Sequence, residues 1–236
     1  MSRTTVPPRR RGRSFRLGTA EPSSRGAWRQ VVPVVLAFVI GALLFGGGGY
    51  LVGKPSEQQQ QVQDLQRADA ARDVKQIGEL TTLARTTRDQ LVPVLTGLVA
   101  ALPVDPATAP KPATAAEVAR WQQTVDAATK PFDDPPSGAT ATNVARGSLT
   151  AAVDQVAVAV RTYALSLTVP AATAGQLRAL AAKERDTAVT TWSVGGTQLD
   201  QINIDAGNGH QHVFLPADPG SGAFTADGAP EGSGHR

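Results

Sequence analysis

The chain contains no cysteine. That absence excludes disulfides, a thiol nucleophile, thiolate-ligated zinc and a lipid-modified N-terminal cysteine. Aromatic residues are scarce at 5%, so any core must be assembled mainly from Leu, Val and Ala. Acidic residues are nearly missing from the first thirty positions, which carry eight arginines (Arg3, Arg9, Arg10, Arg11, Arg13, Arg16, Arg25, Arg29) against Glu21 alone. The positions after Lys54 carry 14 basic and 19 acidic residues, a balance of −5, so the overall +3 belongs to an N-terminal tail. The standard catalytic signatures are missing too: there is no G-x-S-x-G, Ser-x-x-Lys, P-loop or G-x-G-x-x-G. No enzyme activity and no cofactor are expected on that basis.

Charge is absent altogether from "QVVPVVLAFVIGALLFGGGGYLVG", the 24 residues from Gln30 to Gly53. At about 1.5 Å per residue these span roughly 36 Å, enough for a hydrocarbon core of about 30 Å. The stretch holds thirteen Val, Leu, Ile or Phe; at about −0.3 to −0.6 kcal/mol each they favour insertion by roughly 4–8 kcal/mol. Trp28 and Tyr50 bracket it where interfacial aromatics sit. The pattern predicts a transmembrane helix over residues 31–53. A cleavable signal peptide would have a shorter apolar run and a small-residue cleavage site, so an uncleaved signal anchor is the reading preferred. The arginines before the span predict a cytoplasmic N-terminus, an extracytoplasmic C-terminus and location in the plasma (inner) membrane. Gly46, Gly49 and Gly53 set small residues where two such spans could approach, giving a candidate homodimer face. The tail of residues 1–30 is read as disordered and as resting on anionic lipid, not on nucleic acid.

Residues 54–79 are polar and helix-prone, with opposite-charge pairs Asp64–Arg67 and Asp69–Arg72, and are read as a helical stalk. Over residues 80–196 the pattern predicts an extracytoplasmic antiparallel helical bundle of about four helices, and hence an all-α fold. Leu80, Ala84, Thr87, Leu91, Val94, Leu98 and Ala101 mark the packed face of the first, with Pro93 expected to kink it. Thr114 and Glu117 form a capping box before a helix ending ahead of Pro131. Leu149, Val153, Val156, Val160, Tyr163 and Leu167 define the third, stopped by Pro170. A second capping box at Thr173 and Gln176 opens the fourth, whose inner stripe runs through Leu177, Leu180, Ala181, Ala188, Val189 and Trp192 to an end at Gly195-Gly196. Trp121, Tyr163 and Trp192 are assigned to the core. Glu184, also on the inner stripe, is assigned to its solvated edge.

Two of the three histidines fall in "NIDAGNGHQH", residues 203–212. Alternation on either side of Ala-Gly-Asn-Gly predicts an ordered loop or small hairpin over 197–215, followed by a disordered tail over 216–236. On a strand, His210 and His212 would point to one side, and Asp205 across the turn would complete three ligands for zinc or copper. A calcium loop is excluded, because its Gly and its twelfth-position Glu are missing. The function expected is that of an interaction or accessory component of the bacterial cell envelope, with the lipid bilayer and an envelope protein as partners. The alternatives are a ligand-sensing bundle that signals across the membrane, and a metal-binding protein using the His-Gln-His segment.

Overall fold

Small residues repeat every seven positions along the last two helical segments: Ala145, Ala152, Ala159 and Ser166, then Ala174, Ala181, Ala188 and Gly195. All eight are buried. A seven-residue period keeps one seam of a helix facing a partner, and small side chains on that seam let two backbones approach. In the computed structural model, which describes residues 56–218 and 220–234, these two segments pack extensively against each other. Gly195 lies against Ala145, Ser148 and Leu149.

The protein is all-helical, with four helices and no strand among the described residues: α1 (Glu57–Ala101), α2 (Ala115–Thr129), α3 (Thr140–Ser166) and α4 (Ala171–Asp205), plus a 3-10 turn at Lys130–Phe132. Gln63–Arg236 forms one compact unit; of the other, Met1–Val62, only residues 56–62 are described. The expected span 31–53, its Gly46, Gly49 and Gly53 face and the basic tail lie outside the described residues. Among those described, no helix is long and apolar enough to cross a membrane.

Stalk and first packed segment are one continuous helix that stays helical through Pro93. Its residues 57–72 are exposed, and its buried face begins at Gln76 and Ile77. All seven residues expected on that face are buried. At the start of α2, Glu117 N donates to Thr114 Oγ1 at 3.2 Å and Thr114 N to Glu117 Oε2 at 2.7 Å, so the capping box forms. Trp121 fills the space left by Gly97, where a Cβ would collide with the indole. The capping box expected at Thr173 does not form. Instead α4 starts three residues earlier behind Pro170, whose carbonyl accepts from Thr173 and Ala174. Proline's fixed φ suits that entry.

Two departures shape the region of interest. First, α4 does not end at Gly195-Gly196. Those glycines are where α3 and the C-terminal segment press on the helix: a Cβ on Gly195 would meet Leu149 Cγ and Ser148 Cβ at 3.0 Å, and one on Gly196 would meet Phe214 at 3.4 Å. Close packing stabilises helix where isolated propensity would break it. Second, residues 202–205 are the last turn of α4, so the segment is irregular and not a hairpin. The Ala-Gly-Asn-Gly signal is spent on a helix cap. Gly207, at φ +80°, donates to Ile204 O at 3.0 Å, and Asn208 N donates to Asn203 O at 2.8 Å. This is the Schellman arrangement.

Candidate metal centre

Beyond the cap the chain turns back along α4. Trp192, fully buried, donates from Nε1 to Val213 O at 2.5 Å, while Val213 and Leu215 insert into the core as apolar pegs. From α1, Arg88 Nη1 donates to His212 O at 3.2 Å. The tail then returns as a second strap. Phe224 N donates to Ser193 Oγ at 2.9 Å, and His210 and residues 232–233 exchange backbone hydrogen bonds of 2.8 Å. Arg85 pairs with Glu231. Gly209, at φ +70°, is required there, because a Cβ would overlap Gly232.

These straps bring four titratable side chains to one place. His210 is buried, its Nδ1 lying 2.9 Å from Asp200 Oδ2 and 3.9 Å from Asp227 Oδ2. Half-buried His212 places Nε2 at 3.6 Å from Asp227 Oδ1. One ligand atom from each of Asp200, His210 and His212 lies within 4.8 Å of the others. The other Asp200 oxygen accepts from Gln211 N at 2.5 Å, which fixes the carboxylate. The two imidazoles are 5.6 Å apart and tilted by 52°.

The structure thus brings His210 and His212 together and leaves Asp205 apart. Asp205 is exposed and accepts from Gln201 Nε2 at 3.0 Å. Five residues on a helix turn through roughly 140° beyond one full revolution, so Asp200 and Asp205 face different ways. Once 197–205 is helical, it is Asp200 that faces the returning segment. Sequence reasoning missed Asp200 for that reason. Asp227 was missed because its approach is a long-range fold-back with no local pattern. Glu184 is half-buried and lies outside this cluster, while its neighbour Arg185 is fully buried and donates to Leu102 O at 2.5 Å, neutralising the carbonyl end of α1.

A second concave feature lies beneath the proline-rich connector 103–113. It is a cavity of about 400 Å³ lined by Leu102, Pro106, Pro110, Tyr163 and Arg178, among others. Comparison with known protein families, with curated proteins and with solved structures finds no match.

Proposed function

We propose that the chain is a single-pass membrane protein whose outer part, an antiparallel helical bundle on a helical stalk, acts as an interaction or accessory component of the bacterial cell envelope. The observation that carries this reading is the uncharged run Gln30–Gly53 behind eight arginines. The polar opening of α1 supports it: sixteen consecutive exposed residues, 57–72, are about 24 Å of helix that buries nothing, as a spacer between bilayer and bundle would. The span anchors the chain in the inner membrane with its N-terminus in the cytoplasm, and Gly46, Gly49 and Gly53 offer a face for a second copy.

Protease added to spheroplasts should remove residues beyond the span and leave the N-terminal tail protected. Crosslinking before detergent extraction should then capture a defined envelope protein. A C-terminal part that stays intact under protease, or a chain that is freely soluble without detergent, overturns the reading. A ligand-sensing role is a second reading, favoured by the cavity beneath the connector, where Arg178 stands beside apolar walls as an anchor for a small carboxylate. Thermal stabilisation by such carboxylates that is lost in Arg178→Ala would test it.

A further inference from the structure

From the His/Asp cluster we infer a four-ligand site for a divalent transition ion of the zinc class, formed by Asp200, His210, His212 and the tail's Asp227. The distances carry this. In a tetrahedral shell with bonds of about 2.0–2.1 Å, neighbouring ligand atoms sit roughly 3.3 Å apart. The contacts His210 Nδ1–Asp200 Oδ2, His212 Nε2–Asp227 Oδ1 and His210 Nδ1–Asp227 Oδ2, at 2.9, 3.6 and 3.9 Å, lie around that edge. Asp200, His210 and His212 already converge, and Asp227, which turns a different oxygen to each histidine, joins them by a rotation of its carboxylate. The first contact is also a hydrogen bond, while the other two exceed hydrogen-bond length and are spacings that a shared ion spans. His212 Nε2 is moreover a buried nitrogen that makes no hydrogen bond. Such an atom costs free energy without a partner, and a metal would supply one.

The donor set selects the ion. Two imidazoles with two carboxylates suit zinc, cobalt or nickel, whereas calcium and magnesium take oxygen ligands. Four protein ligands fill a tetrahedral shell and leave no open position, which is the pattern of a structural site, not a catalytic one. The two carboxylates balance the ion's charge, and Asp227, about half exposed, leaves a route from solvent. The ligands come from three segments: α4, the strap after it, and the tail. One ion would therefore join them, a link that a chain without cysteine cannot make by disulfide. This inference stands independently of the membrane anchor.

The test uses the full chain purified in detergent, stripped with chelator and titrated with Zn²⁺, with Co²⁺ as a spectroscopic substitute. One ion per chain should bind, Co²⁺ should give the visible bands of a tetrahedral site, and residues 216–234 should become protected from protease. His212→Ala and Asp227→Ala should each weaken Zn²⁺ binding by at least about tenfold. Asp205→Ala, on the exposed side of α4, should change nothing. Asp227→Ala alters a half-exposed tail residue and so keeps the test valid if His212→Ala disturbs the fold, which circular dichroism would show. Absence of stoichiometric Zn²⁺ uptake, or equal affinity in the original chain and Asp227→Ala, overturns the four-ligand site.

Discussion

Helix α3 and the described residues 206–218 and 220–234 are both closely packed against α4, by opposite means. Along α3 and α4 the seam is made of Ala, Gly and Ser at intervals of seven, and Leu149, Val153, Val156 and Val160 beside it are fully buried. Each contact there is non-directional, and stability scales with apolar area removed from water. The C-terminal stretch has no helix or strand to satisfy its backbone. It relies on two apolar pegs, Val213 and Leu215, and on directional contacts to Trp192, Ser193, Arg85, Arg88 and Asp200. Packing of the first kind tolerates changes that keep volume, whereas the second fails when a single donor is lost. The body should therefore unfold as a unit, and the strap should open locally at lower cost.

Trp192 belongs to both regions, and altering it gives the largest effect. Trp192→Ala should destabilise the protein by about 3–5 kcal/mol, as loss of a buried large aromatic does. Chemical denaturation should show this as one cooperative loss. Trp192→Phe sharpens the contrast: it keeps a ring in the core and removes the hydrogen bond to Val213 O. Amide exchange near residues 210–215 should then quicken while the helices of the body stay protected. Equal acceleration in α3 would mean that strap and body are a single cooperative unit.

A smaller effect tests the seam. Gly195→Ala puts a methyl 3.0 Å from Leu149 and Ser148 and 3.1 Å from the Ala145 carbonyl, so these neighbours must give by a few tenths of an ångström in a seam that is fully buried. Overpacking of this kind costs about 1–3 kcal/mol. Gly147 lies in the same helix pair but is exposed, with nothing within 4 Å of an added Cβ. There the change to Ala should stabilise by about 0.5–1 kcal/mol, because only the glycine's backbone entropy is at stake. Thermal midpoints that move in opposite directions would establish Gly195 as a packing residue. Two stabilised variants would show that α3 and α4 are not held in close contact there.

What could be read in advance follows the same division. The buried faces of α1 and of α3 as far as Tyr163 were legible because Leu and Val recur at helical spacing; Leu167, expected on the same face, caps α3 and is exposed. The α2 cap was legible because Thr114 and Glu117 act over three residues. The end of α4 was not, because Gly195-Gly196 reads as a breaker until α3 and Phe214 are in place against it. The hairpin expectation failed for a related reason: Gly207 supplies the same positive-φ chemistry to a helix cap as to a turn between strands. Within the candidate site, His210 and His212 were visible as a pair, but their carboxylates depend on the helical register of Asp200 and on a tail that folds back from position 227. Arg185 was hidden because an arginine at an inner position looks like a gap in the stripe until the carbonyls of Leu98 and Leu102 are seen beside it.

The smallest effect lies at the start of α2, where one carboxylate reports on one local motif. The Thr114 backbone N–H holds the Glu117 carboxyl below its ordinary value of 4.5, the Thr114 hydroxyl adds to this, and Arg120 and Lys111 contribute further. A carboxyl whose folded pKa is depressed binds its proton less readily in the native state than in the unfolded chain. Its contribution to stability is therefore complete above the unfolded value and is lost as pH falls from there through the folded value. The start of α2 should accordingly fray on acidification below about pH 4.5, before burial-driven packing elsewhere responds. Thr114→Ala removes the hydroxyl but keeps the backbone donor, so Glu117 should move part of the way back toward its ordinary value. Thr114→Pro, tolerated at φ −71°, removes both donors and should return it almost completely. Carboxyl chemical shifts followed through an acid titration would resolve the three cases. A Glu117 that titrates identically in all of them would mean that the capping box contributes nothing to holding the helix start.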